Sequence, residues 1–327
     1  WSMGDDAPLA VLSEKPRPLH AYFRQRFAQV TNPAIDSLRE RSVMALDSFV
    51  GRRGNLLDPG RASNRLAHLP SVALAADQLA QLEAIGGDLA AARISVAFPV
   101  PTESEPAGAA LEAALDRAVA EAGAAVRGGA AVLVLSDTAV DAEHSAVPML
   151  LAVGAVHHGL IRSGLRNDAD LVCESGETND VHAFACLLGY GASAVNPYLA
   201  LRAAADLVGT RGHEGLSEVD LRRNYVASLE KGFLKVASKM GISTAMGYRG
   251  AQIFETIGLS TDLVARHFTG TPARLSGIGM PEIEADVLRR HAEAYGDPAP
   301  KLADLGFVRK VIEVLDVVSN ITEVGSN

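Results

Sequence analysis

The chain has 327 residues, 48% hydrophobic and 21% charged, with 30 Lys and Arg against 39 Asp and Glu, a formal net charge of −9. That much apolar surface builds one large packed domain or two small ones and argues against a disordered chain. A net negative chain without a clustered basic stripe has no attraction for a nucleic-acid backbone, so no nucleic-acid partner is expected.

The opening residues, Trp1-Ser2-Met3-Gly4-Asp5-Asp6, lack the basic region and apolar stretch of a secretory signal. The longest apolar run, Met149 to Val156, is too short to cross a bilayer. The expectation is a cytoplasmic protein with no membrane partner. A chain that opens on Trp1, with Met3 inside a motif, reads as a fragment or a processed product.

Leu19, Phe23, Phe27 and Val30 recur at helical spacing and predict a helix, broken by Asn32-Pro33. Residues 51–63, rich in Gly, Arg, Asn and Pro, read as loop, and 78–85 as a second helix. A weak boundary falls at 99–108. From residue 94 the rhythm changes. Ile94 to Phe98 is a short strand; Leu111, Leu115, Val119, Ala122 and Val126 mark a helix. Ala131 to Leu135 is a continuous apolar strand ending in Ser136 and Asp137. A helix over 149–161 follows, then the strand Leu171-Val172-Cys173 ending in Glu174, Ser175 and Glu177, a helix over 181–188, and a short strand over 194–197. Val226, Leu229, Phe233, Val236 and Met240 mark a later helix capped by Gly241. Ile242-Ser243-Thr244 reads as one more strand, and a helix is expected from Ala251.

Continuous apolar strands alternating with helices predict βαβ units about a parallel sheet. The expected class is α/β, a partial or open βα barrel with parallel strands plus a helical N-terminal segment. The expected division is 1–93 as a mostly helical N-terminal segment, 94–280 as the βα-repeat core, and 281–327 as a C-terminal helical segment or linker.

Active sites of parallel α/β folds form at the carboxyl ends of strands. Polar residues gather there: Ser136 and Asp137; Glu174, Ser175 and Glu177; Asn196; Ser243 and Thr244. They suit an active site or its remnant, and a stand-alone barrel enzyme would draw on Asp137, Glu174 and Arg249. Helix capping is the favoured reading, with Asp137 and Asn179 suited to it. Arg249, next to the expected helix at Ala251, could meet an anion or form an ion pair. His157 and His158 are adjacent on a helix and diverge by about 100°. No metal-binding spacing accompanies them or His182, so structural or surface roles are expected. Cys173 and Cys186 fit no disulfide, zinc or iron–sulfur pattern, and Cys173 reads as a buried apolar thiol. Neither Gly189-Tyr190-Gly191-Ala192 nor Gly277-Ile278-Gly279 matches a phosphate-binding loop.

Several runs resemble the central region of glutamate synthase large subunits. They are Ser2-Met3-Gly4-Asp5-Asp6 with Pro8-Leu9-Ala10-Val11-Leu12-Ser13, and Phe27-Ala28-Gln29-Val30-Thr31-Asn32-Pro33. Leu133-Val134-Leu135-Ser136-Asp137 and Leu187-Leu188-Gly189-Tyr190-Gly191-Ala192, running on to Asn196-Pro197-Tyr198-Leu199-Ala200, follow. Lys239-Met240-Gly241-Ile242-Ser243-Thr244 with Tyr248-Arg249-Gly250-Ala251-Gln252-Ile253-Phe254-Glu255 is the strongest, and Phe268-Thr269-Gly270-Thr271 closes the set.

The resemblance implies an enzyme that makes two glutamates from glutamine, 2-oxoglutarate and a reductant. It implies an amidotransferase domain with an N-terminal cysteine and an FMN domain elsewhere in the same chain. An iron–sulfur cluster there would receive electrons from an NADPH-dependent small subunit or from ferredoxin. This chain would be the central linking domain, leading through 281–327 toward the FMN domain, with no complete active site and no cofactor of its own. The resemblance also places Met3, Thr31 and Asp36 on the wall of an ammonia tunnel. The chain departs from the family pattern at Ala245-Met246-Gly247, at Asp180 and Ala183, and from Val308 onward.

Overall fold

A computed structural model of the chain describes residues 9–13, 15–26, 34–36, 38–53, 66–102 and 104–296. In chain order the strands are β1 (Phe23–Gln25), β2 (Ser48–Val50), β3 (Ala67–Leu69), β4 (Ala91–Ser95), β5 (Ala97–Pro99), β6 (Val132–Ser136), β7 (His144–Ala146), β8 (Asp170–Glu174), β9 (Ala192–Asn196), β10 (Phe254–Leu259) and β11 (Ala273–Ile278). The helices are α1 (Glu40–Val43), α2 (Ala76–Ala84), α3 (Ala109–Arg127), α4 (Met149–Arg162), α5 (Val181–Gly189), α6 (Tyr198–Ala205), α7 (Glu218–Lys239), α8 (Ala245–Tyr248), α9 (Thr261–His267) and α10 (Met280–Tyr295).

The centre is a parallel sheet in the order β4-β6-β8-β9. β6, β8 and β9 are buried along almost their whole length, with apolar runs such as Val132 to Leu135 and Leu171 to Cys173, because both faces are covered. Successive side chains point to opposite faces. Leu133, Leu135, Leu171, Cys173 and Val195 join the large core shared with α3, α4 and α5. Val132, Val134, Val172 and Ala194 meet Val50 and Leu69 of the β2–β3 pair, Leu74 just before α2, and Leu79 and Leu82 of α2. Helices α3, α4 and α5 are the crossovers that parallel pairing requires. The α/β architecture with parallel strands is as the sequence predicts.

Smaller sheets flank the centre. β5 pairs with β7 and β2 with β3, both antiparallel, and a three-stranded sheet runs β1-β10-β11. Among the described residues of 1–93, helices α1 and α2 alternate with strands that the sequence does not announce. The helix expected from Leu19 is instead a 3-10 turn, Leu19–Tyr22, running into β1, which pairs antiparallel with β10. Phe23 explains the switch. Its ring packs edge-on to Tyr190 at 5.2 Å and Phe268 at 4.8 Å, tertiary contacts that outweigh local helical spacing. Phe27 and Val30 lie outside the described residues. The helix expected from Ala251 is also absent: residues 251–253 are irregular and lead into β10. Of the strand expected at 242–244, a single parallel bridge between Thr244 and Ala45 forms.

The last described helix is fixed to the core by an unusual cap. Gly108, at the N-cap of α3, has no side chain to satisfy the free helix N–H groups. Glu284 of α10 supplies the missing acceptors, taking the N–H of Gly108 and of Leu111, each at 2.8 Å. The site demands glycine twice over: φ is +85°, and a Cβ there would lie 2.9 Å from Pro281 N.

Candidate functional site

The carboxyl ends of the central strands carry the polar residues that the sequence singles out. Arg93, on β4, reaches across to them. Its guanidinium donates to Glu83 at 2.9 and 3.1 Å, to Ser136 at 3.2 Å, and to Glu174 at the end of β8. Ser136 Oγ donates to the same Glu174 carboxylate at 2.5 Å. Asp137, 5% exposed, accepts the Gly176 N–H on its two oxygens at 2.9 and 3.0 Å. Burial pushes its carboxyl up from 3.8 to about 6, with Glu177 and Glu174 adding to the rise. The Gly176 N–H and the Tyr198 hydroxyl oppose it. Glu177 Oε2 accepts the N–H of Met149 at 3.1 Å and so caps α4. Asn196 is fully buried and donates to the Leu74 carbonyl at 2.8 Å. Capping is therefore one use of these residues, though not through the two expected. Asp137 holds a loop N–H, Asn179 accepts the Tyr225 hydroxyl on its carbonyl, and Asp180 caps α5 through Ala183 N–H at 2.7 Å.

A second charged cluster sits at the opposite end of the same sheet. Asp170, 1% exposed, opens β8. Its carboxylate accepts from Arg249 and Ser193 at 2.9 Å and from the Gly51 N–H at 3.1 Å, and pairs with Arg53 at 3.4 Å and Arg166 at 3.8 Å. Burial lowers the Arg166 guanidinium to about 10, with Asp170 opposing the shift. Arg166 also donates to His157 Nδ1 at 2.9 Å. Burial and the Arg166 charge push that imidazole down to about 3, so it stays neutral. Arg249 thus meets a buried carboxylate, not an anion at a helix start. Asp170 and Glu174 lie at the two ends of β8, roughly 13 Å of extended strand apart. Asp137, Glu174 and Arg249 therefore do not converge on one point.

The remaining candidates are dispersed. His182 Nε2 faces the carbonyls of His20 and Phe23 at 2.9 and 3.1 Å, an imidazole N–H tying α5 to the N-terminal turn. Thr244 Oγ1 accepts the Gly247 N–H at 2.9 Å and caps α8. Asp36 is exposed; its carboxylate accepts the Leu38 N–H at 3.0 Å in the turn that leads into α1. Met3 and Thr31 lie outside the described residues.

The two cysteines do not present the donor set of an iron–sulfur cluster. Cys173 and Cys186 are buried thiols, and burial pushes both well above their ordinary value, so neither presents the thiolate a cluster needs. Among the described residues no three His, Cys, Asp or Glu are grouped to hold a metal ion. At the strand ends Arg93 and Glu174 are engaged with each other. No helix among the described residues is long and apolar enough to cross a membrane. Sequence reasoning missed Arg93, Asp170, Arg166 and Glu284. The one signal available was a charged residue at the head of an apolar strand, as at Asp170.

Comparison with known proteins places this geometry in context. The family model of the glutamate synthase central domain matches residues 1–260. The chain is 45% identical over 321 residues to ferredoxin-dependent glutamate synthase 2 of Synechocystis sp., covering 94% of this chain and 20% of that protein. It is 46% identical over 312 residues to the glutamate synthase [NADPH] large chain of Azospirillum brasilense, with the same coverage. The chain therefore spans about a fifth of the length of these relatives. Among solved structures, a flavocytochrome b2 variant with benzoylformate overlaps 67% of this chain and 46% of its own at 13% identity and a TM-score of 0.38, too little to carry an argument.

Proposed function

The chain belongs to the glutamate synthase central domain family, and from that premise we propose that it is the linking domain of a glutamate synthase large chain. In this reading it joins an amidotransferase domain, which releases ammonia from glutamine, to an FMN domain, which uses that ammonia and 2-oxoglutarate to make glutamate. The FMN and the iron–sulfur cluster belong to those other parts. Electrons come from an NADPH-dependent small subunit or from ferredoxin, and the enzyme works in the cytoplasm. Residues 94–280 are its rigid core, and 281–327 lead toward the FMN domain.

One observation carries this reading beyond the family match. Most strand-end groups that would form a barrel active site are engaged within the protein: Glu174 with Arg93 and Ser136, Asp137 with the Gly176 N–H, and one oxygen of Glu177 with the start of α4, while Glu177 Oε1 and Asn196 Oδ1 lack a hydrogen-bond partner among the described residues. Residues so engaged brace a scaffold; they are not poised to meet a substrate.

Met3, Thr31 and Asp36 line part of the ammonia path. Ammonia in water near neutral pH is mostly ammonium, which has no free lone pair for attack. A conduit that excludes water keeps it neutral and prevents loss. Met3 offers a flexible apolar wall, and Thr31 and Asp36 offer hydrogen-bond acceptors. The test is direct. The purified chain, supplied with glutamine, 2-oxoglutarate and reductant or with other keto acids, is expected to turn over none of them. Robust turnover would end the linking account in favour of a self-contained enzyme.

A further inference from the structure

The carboxylate that opens β8 is outnumbered by its partners. Arg53, Arg166 and Arg249 pair with Asp170, and Arg52 lies 3.9 Å from Asp168. The Arg53 N–H donates to the Asn167 carbonyl at 3.0 Å, which seats the 51–53 loop against the turn that carries Arg166 and Asp168. Among the described residues these two aspartates are the only ion-pair partners of the four guanidiniums. Four positive charges against two negative ones leave two over, and His157, bonded to Arg166, stays neutral. The surplus stands out in a chain whose formal net charge is −9.

Like charges crowded into a half-buried place are unfavourable unless something negative joins them. Arg249 and Arg53 both weaken the hold of Arg166 on its proton, and Arg53 does the same to Arg249. Donors also remain to be used. Arg249 spends Nη1 on Asp170 and Ser193, and Arg53 spends Nη2 on Asp170 and the Phe49 carbonyl. Arg52 Nε is buried without a hydrogen-bond partner among the described residues. The side chains of Arg52 and Arg53 keep 41% and 31% of their surface in solvent, so a small solute can reach them.

We propose that Arg52, Arg53 and Arg249 bind a small free divalent oxyanion of the phosphate class at the amino end of the central sheet. Such an ion cancels the two surplus charges, and its several oxygens suit guanidinium forks, each of which can grip two oxygens at once. Ser136, Asp137 and Glu174 lie at the other end of the sheet, so the site is separate from theirs and stands whether or not the linking reading does.

The test is equilibrium dialysis of the full-length protein against inorganic phosphate. Wild type is expected to take up one saturable equivalent per chain, half-filled below ~1 mM. Arg53→Gln and Arg52→Gln are each expected to weaken that equivalent at least ~10-fold, because a bond between charged groups is lost. Both side chains are partly exposed and Asp170 keeps Arg166 and Arg249, so both variants are expected to keep the wild-type circular dichroism. Arg274→Gln, at a side chain 74% exposed and paired with Glu255, is expected to leave phosphate binding unchanged. No saturable binding by wild type, undiminished binding in either Arg52→Gln or Arg53→Gln, or equal weakening by Arg274→Gln would each overturn the proposal.

Discussion

Replacing Glu284 tests whether the carboxylate of α10 is the cap of α3. Glu284 is 4% exposed and holds two backbone N–H groups at 2.8 Å across 173 and 176 residues of sequence. In Glu284→Ala both donors lose a charged acceptor in a buried place, at about 1.5 to 3 kcal/mol each. Water entering the gap recovers part of this, so the expected loss is about 3 to 5 kcal/mol. For a chain of 327 residues that lowers the thermal midpoint by on the order of 4–7 °C. Glu284→Gln keeps the shape and one acceptor oxygen and is expected to cost roughly half as much. Gly108→Ala should mimic the damage from the other side, because its Cβ meets Pro281 N at 2.9 Å. Unfolding in urea, followed by circular dichroism, measures all three. A cost below about 1 kcal/mol for Glu284→Ala, the range of an ordinary surface change, would refute the reasoning.

Two further predictions concern the sheet ends. Asp170→Asn leaves buried Arg249 and Arg166 without their counter-charge and is expected to cost about 3 to 5 kcal/mol in urea unfolding. Adding Arg249→Met should recover part of that loss; additivity of the two would show that they do not interact. Asp137 gives a pH signature. Its folded-state carboxyl is raised from 3.8 to about 6, so its contribution is fully present below pH 3.8 and is lost as pH rises through about 6. Relative to wild type, Asp137→Asn should gain up to about 3 kcal/mol between pH 4 and pH 7. Stability profiles that run parallel for the two proteins would contradict this.

The central layer was legible because burial on both faces leaves a plain signal. The run from Val132 to Leu135 has no polar residue to disguise a strand, and Leu111, Leu115, Ala122 and Val126 keep helical spacing along α3. The flanking sheet was not legible. Phe23 joins a strand because Tyr190 and Phe268, far along the chain, offer it a pocket, while its local spacing suits a helix. β11 alternates nothing: it is exposed over most of its length, so no burial pattern marks it. At the strand ends the sequence located Ser136, Asp137 and Glu174 correctly but misjudged their company. Arg249 pairs at the far end of β8, and Arg93, which fastens Glu174, gave no local sign. Long-range partners such as Glu284 and Gly108 cannot be read from spacing, since neither residue is unusual in its own helix or turn.

In the proposed function this domain guides nitrogen between two sites elsewhere in the enzyme. The direct measurement is isotopic, with full-length enzyme turning over amide-15N glutamine in excess unlabelled ammonium. In wild type the newly formed glutamate should carry the label, because the ammonia never mixes with solvent. Thr31→Ala or Met3→Ala should let unlabelled nitrogen enter and raise glutamine hydrolysis above glutamate synthesis. Label retention unchanged in both variants, with only stability reduced, would mean that these residues pack and do not conduct.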